Sequence, residues 1–211
     1  MQRYGGRALR IYLVDDHDIV RRGLRDLLVA SPDIMVVGEA ASAANAVRDI
    51  AAREPDVMLL DLHLQDGTGI GVCRQVQAST PRVKGLLLTA AGDDEALVAT
   101  VLAGAAGYVI KASPSHVIVG AIRAIGAGKP VLEPDQRELV VQSLRALTEG
   151  RGGPFPDSST RKVLQAILDG ENDNEIMERL RLSRPDLDHH LSVVIEHLLG
   201  VPSTPRHRRG P

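Results

Sequence analysis

The chain has 211 residues, of which 44% are hydrophobic, and its formal net charge is −2. The length predicts one large or two small domains, and this hydrophobic content is sufficient for a globular core. A charge so close to zero argues against nucleic-acid binding along the whole surface, and an aromatic content of 2% leaves few platforms for stacking single-stranded bases.

The cysteine count and the apolar runs bear on the compartment. Cys73 is the single cysteine, so no disulfide can form within the chain, which fits a reducing cytosol. No apolar run reaches the ~18 residues of a membrane-spanning helix. The stretch Met1–Val14 has only a short apolar segment that runs into acidic residues, unlike a secretory signal. We therefore expect a cytoplasmic protein with no membrane partner.

Strand and helix patterns alternate from Leu9 to Leu132. Short apolar runs predict strands at Ile11–Val14, Met35–Ala40, Val57–Leu60, Gly85–Thr89 and Tyr108–Ile110. Amphipathic segments predict helices at Ile19–Val29, Ala43–Ala52, Val72–Val76, Asp93–Ala103 and Pro114–Gly126. Asp16 or Asp18 is the predicted cap of the first helix. This alternation predicts an α/β fold with a five-stranded parallel, doubly wound sheet, whose ligands bind at the carboxyl ends of the strands.

A second, all-helical domain is predicted after a connecting segment. Asp135–Leu147 has the pattern of an amphipathic helix, and Glu149–Pro156 that of a flexible linker. The boundaries that we predict are 8–132 for the α/β domain, 133–157 for the connecting helix and linker, 158–201 for the helical domain, and 202–211 for a tail. The tail contains three arginines and no acidic residue, which predicts a disordered basic segment.

Three aspartates close two of the predicted strands. Asp15 and Asp16 follow the first strand, and Asp61 follows the third. If these strands are parallel neighbours, the three carboxylates share one crevice, where like charges raise each other's pKa. A hard cation such as Mg²⁺ relieves this repulsion because it prefers carboxylate and water oxygens. The sequence therefore predicts a magnesium site suited to phosphoryl chemistry.

Four short motifs lie at the ends of predicted strands. They are VDDH at Val14–His17, DLHLQDG at Asp61–Gly67, LLLTA at Leu86–Ala90 and GYVIKA at Gly107–Ala112. In this order they resemble the receiver domain of bacterial two-component response regulators. The apolar pattern of Val163–Ser183 resembles the LuxR-type helix-turn-helix domain. The resemblance spans the chain and implies a flavodoxin-like receiver followed by a small all-α output domain.

The resemblance implies a role for each motif. It implies that Asp61 accepts a phosphoryl group from a histidine kinase, in a signalling protein rather than an enzyme. The implied Mg²⁺ ligands are Asp15, Asp16, Asp61 and the backbone carbonyl of His63. The implied phosphoryl-binding and switch residues are Thr89, Tyr108 and Lys111. Phosphorylation is expected to produce a homodimer or heterodimer. We expect the His17 and His63 side chains to lie in loops and bind no metal, because Mg²⁺ disfavours imidazole.

The output domain departs from its family at the positions that face DNA. The predicted recognition helix, Arg184–Leu198, carries Asp186 where the family commonly has threonine and Asp188 where it has lysine or arginine. Residues 158–201 contain five Lys/Arg and eight Asp/Glu, a net charge of −3. Phosphate contacts supply much of the free energy of DNA binding, so this acidity makes DNA a doubtful partner. The compensating candidates are Arg181, Arg184, His189, His190 and, in the tail, Arg206, Arg208 and Arg209.

Three functions compete at this point. The first is a response regulator that controls transcription through its helix-turn-helix domain. The alternative keeps the receiver but makes the acidic helical domain a protein-interaction module that no longer binds DNA. A hydrolase of the haloacid dehalogenase type is disfavoured because that family has a second aspartate two residues after the nucleophile, where this chain has His63.

Overall fold

The computed structural model of the chain describes residues 7–90, 92–148, 155 and 157–200. Its first domain contains β1 (Leu9–Val14), α1 (Asp18–Val29), β2 (Ile34–Ala40), α2 (Ala43–Arg53), β3 (Val57–Asp61), β4 (His63–Leu64), β5 (Gly67–Thr68), α3 (Gly69–Ser79), β6 (Lys84–Thr89), α4 (Asp93–Ala103), β7 (Gly107–Ile110) and α5 (Ser115–Gly126). Five strands form one parallel sheet in the order β2-β1-β3-β6-β7. The predicted α/β class and five-stranded parallel sheet are confirmed.

Helices cover both faces of this sheet and bury its strands. Every residue of β3 is buried, as expected for a central parallel strand read as a continuous apolar run. On one face, α1 and α5 pack through residues such as Leu28 and Ile122. On the other face, α2 and α3 pack through Ile50 and Ile70.

The loop after β3 contains an element that the sequence did not predict. β4 and β5 form a two-residue antiparallel hairpin, and α3 begins at Gly69 rather than at Val72. The earlier start follows from Thr68, whose side chain accepts a hydrogen bond from the Gly71 N–H. A Cβ at Gly69 would lie 2.4 Å from the backbone oxygen of Asp61. Glycine is required there so that the helix can start directly against the end of β3.

The remaining described helices are α6 (Pro134–Thr148), α7 (Ser158–Leu168), α8 (Asp173–Leu180) and α9 (Arg184–Leu199). α7, α8 and α9 each begin with a capping side chain, from Asp157, Asn172 and Ser183 respectively. Of the predicted linker 149–156, only Phe155 is described; its side chain is buried, with its ring 4.9 Å from that of His197. The predicted tail, 202–211, lies outside the described residues, together with Arg206, Arg208 and Arg209.

The two domains pack against each other across a buried ion pair. Arg74 of α3 is 6% exposed, and its Nε donates a hydrogen bond of 2.7 Å to Asp173, the fully buried first residue of α8. Other nitrogens of Arg74 donate to the carbonyl oxygens of Leu102 in α4 and Glu171 before α8. α9 also packs on α4. The helices α8 and α9 are thus held against the α3–α4 side of the first domain.

Among the helices that the structure describes, each is too short or too polar to cross a membrane.

Candidate phosphoryl and metal site

The three predicted carboxylates meet at one edge of the sheet. β1 and β3 are hydrogen-bonded neighbours with Val14 opposite Leu60, so Asp15 and Asp61 follow at adjacent strand ends. Both side chains are buried. Ligand atoms of Asp15, Asp16, His17 and Asp61 all lie within 4.8 Å of one another. The sheet order therefore brings the carboxylates together, although 45 residues of chain separate Asp16 from Asp61.

Lys111 supplies the positive charge of this site. It follows β7, and its Nζ lies 2.8 Å from Asp15 Oδ2 and 2.7 Å from Asp61 Oδ2. Its backbone N–H donates to the carbonyl oxygen of Thr89 at the end of β6, which ties two strand ends together. One ammonium group thus bridges two of the three carboxylates.

Burial shapes the charges of these groups. Burial raises the pKa of Asp61 above its ordinary value, and the Asp15 charge adds to this effect, while Lys111 partly opposes it. Burial disfavours the charged form of Lys111, but hydrogen bonds to Asp15 and Asp61 outweigh that effect and raise its pKa. Lys111 is therefore held charged, whereas the Asp61 carboxylate lies in a site that, without a bound cation, disfavours its ionisation.

Asp16 is the carboxylate without a hydrogen-bonding role. The predicted helix cap at Asp16 or Asp18 is wrong: His17 is the N-cap residue of α1, and no side chain caps the helix there. The Asp16 side chain is 8% exposed, and its Oδ1 makes no hydrogen bond to the described residues. A buried carboxylate oxygen with no partner is costly in a protein interior. The carboxylates of Asp15, Asp16 and Asp61 therefore fit a hard divalent cation, for which oxygen donors are preferred.

The predicted switch residues lie beside this site. Thr89 ends β6 and is buried, one residue beyond the Leu88 that pairs with Asp61. Tyr108 lies on β7 opposite Leu87 and is partly buried against the core between the sheet and the output domain. These positions fit the predicted roles, which remain predictions.

The backbone around Asp61 is also fixed. The N–H of His63 donates a hydrogen bond of 3.3 Å to Asp61 Oδ1, so the residue predicted to offer its carbonyl to a metal is held directly beside the predicted phosphoacceptor. The His63 residue itself is exposed. The His17 side chain, which we expect to bind no metal, has its Nδ1 within the carboxylate cluster, 2.7 Å from Asp16 Oδ1.

The predicted DNA-binding side chains do not form a free basic surface. Arg184 donates to Asp173 at 2.6 Å and lies 3.7 Å from Asp188. His190 lies 2.9 Å from the Thr160 hydroxyl and 3.5 Å from Asp157. The rings of His189 and His190 lie 5.6 Å apart. Arg184, His189 and His190 are thus each in contact with another side chain of the same domain.

Two further positions change the interpretation of the output domain. Arg181 ends α8 in the left-handed conformation, with φ of 54°, which makes it a backbone turning point. Asp186 completes a capping box with Ser183 at the start of α9, so its carboxylate has a local structural role. Its hydrogen bonds from the Ser183 hydroxyl and backbone N–H lower its pKa. The acidic character of the helix is therefore partly explained by folding.

The sequence did not identify the contact between the domains. Arg74 and Asp173 are 99 residues apart; Arg74 belongs to none of the motifs, and Asp173 is a polar residue within the apolar pattern of Val163–Ser183. The one available signal is that Arg74 is the single charged residue of α3. An arginine among uncharged residues is buried only with a carboxylate or carbonyl partner, but its position in the chain does not say which.

Comparisons with known proteins identify the family of the chain. The family "Response regulator receiver domain" matches residues 11–123. The DNA-binding transcriptional activator DevR/DosR of Mycobacterium tuberculosis is 35% identical over 192 residues, which cover 90% of this chain and 88% of that protein. The transcriptional regulatory protein LiaR of Bacillus subtilis is 34% identical over 196 residues, or 90% of each chain.

Solved structures extend the likeness to both domains. The response regulator ChrA of a heme-sensing two-component system aligns with a TM-score of 0.51 at 29% identity, over 92% of this chain and 91% of that one. A two-component response regulator of the LuxR family from Aurantimonas sp. SI85-9A1 aligns with a TM-score of 0.57 at 36% identity, over 64% of this chain and 97% of that one. The protein therefore belongs to the response regulator family, with a receiver domain followed by a LuxR-type output domain.

Proposed function

We propose that this response regulator accepts a phosphoryl group on Asp61 from a histidine kinase and thereby regulates transcription. The observation that carries the proposal is the Lys111 ammonium group, which bridges Asp15 and Asp61 at 2.8 and 2.7 Å in a buried pocket at the strand ends. A cation placed between two buried carboxylates can neutralise the oxygens of an arriving phosphoryl group.

The chemical step assigns one role to each side chain. An oxygen of the ionised Asp61 carboxylate forms a bond to phosphorus as the bond from phosphorus to the kinase imidazole breaks, and that electron pair returns to the imidazole. Lys111 contacts the phosphoryl oxygens, and the hydrogen bond from the His63 N–H orients the Asp61 carboxylate. Asp15 keeps Lys111 in place before the phosphoryl group arrives.

Asp15, Asp16, Asp61 and the His63 carbonyl are the residues that would hold Mg²⁺. When bound, the ion supplies positive charge that offsets the repulsion among carboxylates and phosphoryl oxygens. Asp16, with its unpartnered Oδ1, is the side chain that gains most from such a ligand.

The signal reaches the output domain through the neighbouring strand ends. Thr89 is tied to Lys111 by the backbone hydrogen bond at 2.7 Å, so movement of Lys111 toward a phosphoryl group is transmitted to β6. Thr89 then donates its hydroxyl to the phosphoryl group and Tyr108 moves inward behind it. α4 follows β6 in the chain, and α9 packs on it.

The proposal for DNA follows from the same packing. Asp188, Leu191, Ser192 and Ile195 of α9 face a cleft of about 480 Å³ lined by α2, α3 and the loop between β4 and β5. A recognition helix enters the major groove with its exposed side chains, so α9 must leave this cleft before it reads DNA. Phosphorylation accordingly favours undocking, followed by formation of a homodimer or heterodimer on DNA.

Phosphorylation is tested with a small-molecule donor. Acetyl phosphate is expected to add about 80 Da to the intact protein, which is the mass of one phosphoryl group, in the presence of Mg²⁺. Asp61→Asn should abolish the added mass, whereas Asp26→Asn, which changes an exposed aspartate of α1, should retain it. Continued labelling of Asp61→Asn would show that another residue is the phosphoacceptor.

DNA binding is tested by a salt series. Fluorescence anisotropy with duplexes from the protein's own upstream region is expected to show binding that strengthens with beryllofluoride and weakens with salt. Asp188→Lys should strengthen binding, whereas Asp135→Lys, the same charge change on the exposed part of α6, should not. Absence of binding at every salt concentration, with the receiver phosphorylated, would exclude direct regulation of these sequences.

A further inference from the structure

We propose that His17 is a metal ligand of the phosphoryl site, so that this site binds imidazole-preferring divalent cations such as Co²⁺ and Zn²⁺ more tightly than Mg²⁺. The inference rests on the proposed function of the same pocket, and it concerns which cations occupy it. His17 is the residue directly after the two aspartates that end β1.

The position of the imidazole supports ligation. Its Nδ1 lies 2.7 Å from Asp16 Oδ1, 3.4 Å from Asp15 Oδ1 and 3.9 Å from Asp61 Oδ2. A cation with bonds of about 2.1 Å can join ligand atoms that are up to about 4.2 Å apart. All three distances from Nδ1 fall within this span, so an ion bound to a carboxylate oxygen of any one of these aspartates can also contact the imidazole.

The unpartnered oxygen of Asp16 gives independent support. Oδ1 of Asp16 is buried and makes no hydrogen bond, although Nδ1 of His17 is only 2.7 Å away. The approach lacks the direction of a hydrogen bond, so the imidazole does not satisfy this oxygen. Two ligand atoms at such a separation are accommodated when a cation lies against both of them. His17 Nδ1 and Asp16 Oδ1 are thus placed as two ligands of one cation rather than as donor and acceptor of a hydrogen bond.

The backbone leaves His17 free for this role. It is the N-cap residue of α1, but its side chain makes no capping bond, and the side chain is 67% exposed. Its backbone carbonyl accepts from Arg21 and its N–H donates to Asp15 Oδ1, so the main chain is fixed while the ring remains accessible. Nε2 can keep its proton toward solvent while Nδ1 offers its lone pair to the ion.

The ligand atoms of the site decide which cations it prefers. Three carboxylates alone suit Mg²⁺, whereas addition of an imidazole shifts a site toward later first-row cations, which bind nitrogen more strongly. Even a residue that only supports a metal ligand commonly contributes 10- to 100-fold to metal affinity. We expect His17 to contribute at least about tenfold to Co²⁺ and Zn²⁺ affinity and much less to Mg²⁺ affinity.

The experiment compares cation affinities in the full chain without an affinity tag, at one fixed pH. Co²⁺ binding is followed by its visible absorption, Zn²⁺ by competition with Co²⁺, and Mg²⁺ by calorimetry. The test variant is His17→Gln, and the matched control is His116→Gln, which changes an exposed histidine of α5 outside the cluster. Pulsed electron paramagnetic resonance of bound Mn²⁺ provides a second measurement, since a ligating imidazole nitrogen couples to the ion.

The expected result is a loss of at least about tenfold in Co²⁺ and Zn²⁺ affinity in His17→Gln, with Mg²⁺ affinity changed by less than about threefold. The nitrogen coupling should disappear in His17→Gln and persist in His116→Gln. Equal effects on all cations, or no effect on Co²⁺ and Zn²⁺, would overturn the inference while leaving Mg²⁺ binding and the proposed function intact. Failure of every cation to bind, together with no acyl phosphate on Asp61, would instead overturn both.

Discussion

The buried ion pair between the domains leads to the most direct prediction. Arg74→Met removes the guanidinium group from α3 and keeps a long apolar side chain. Asp173, which is 0% exposed, then loses its 2.7 Å partner but retains Arg184 at 2.6 Å. Glu171 and Leu102 each lose a donor to their carbonyl oxygens. The substitution therefore leaves one buried carboxylate half neutralised and two acceptors unpaired.

The size of the effect follows from these losses. Breaking a buried ion pair by removing one partner costs about 3–5 kcal/mol. Because Arg184 remains beside Asp173, we expect the lower part of that range or less, about 2–3 kcal/mol. The cost applies only to the docked arrangement, since water can solvate Asp173 once the domains separate. The ratio of docked to undocked molecules should fall by about 30- to 150-fold, at 1.36 kcal/mol for each factor of ten.

Small-angle X-ray scattering and urea unfolding test this prediction together. The radius of gyration should increase in Arg74→Met, and the urea midpoint should fall. The matched control is Arg145→Met, since Arg145 pairs with Asp169 at 2.8 Å where both side chains are exposed. Such exposed pairs contribute about 0–1 kcal/mol, so scattering should not change. If both variants scatter and unfold alike, the buried pair does not hold the domains together.

Three further predictions concern the receiver. Asp61→Asn should raise the thermal midpoint of the metal-free protein by ~2–4 °C, which corresponds to about 1 kcal/mol, because burial and the neighbouring Asp15 carboxylate disfavour the negative charge of Asp61. Saturating Mg²⁺ should remove this gain in thermal midpoint. Gly69→Ala should lower the free energy of urea unfolding by about 1–3 kcal/mol, because a Cβ would lie 2.4 Å from the Asp61 carbonyl oxygen. Gly23→Ala is the control: Gly23 has open space around it in α1, so the free energy of unfolding should rise by up to ~1 kcal/mol. The reverse order of the two variants would refute the steric argument. A hydrogen bond from Arg123 lowers the pKa of Asp33 in the folded protein. The pair therefore stabilises the fold fully at pH values above the pKa of Asp33 in the unfolded chain, and this contribution is lost as the pH falls through the pKa of Asp33 in the folded protein. Arg123→Gln should therefore reduce the free energy of unfolding at pH 7 and reduce it less at pH 3; an equal reduction at both would contradict the linkage.

The parts of the site that the sequence predicted depend on short-range patterns. Asp15 and Asp61 each follow an apolar run long enough to specify a buried strand, and the parallel order of such strands brings their ends together. Lys111 was assigned by resemblance, and the structure places it between these two carboxylates. A strand-end residue is predictable because the strand fixes both its position and its direction.

The orientation of side chains in loops is not predictable in this way. Asp16 and His17 follow the same strand as Asp15, yet neither side chain makes a capping hydrogen bond to α1. Both side chains instead have an atom in the cluster with Asp61. Whether these side chains cap the helix or lie in the cluster depends on hydrogen bonds of the main chain, such as the one that the His17 N–H donates to Asp15 Oδ1 at 2.8 Å. A helix cap and a metal ligand have the same residue types, so the sequence alone left capping as the simpler interpretation.

The acidic recognition helix illustrates a further limit of reading charges by position. Sequence reasoning assigned Arg184 to DNA and treated the aspartates of α9 as obstacles to it. In the structure Arg184 is already bound to Asp173, and Asp186 completes the helix cap. When Arg74 withdraws on undocking, water reaches Asp173, and the attraction between Asp173 and Arg184 weakens because charges interact less strongly in water than in a protein interior. Arg184 is therefore held by Asp173 while the domains are docked and becomes more available to a DNA phosphate after they separate. The electrostatic cost of DNA binding in this protein therefore depends on ion pairs inside the domain as well as on the net charge of its surface.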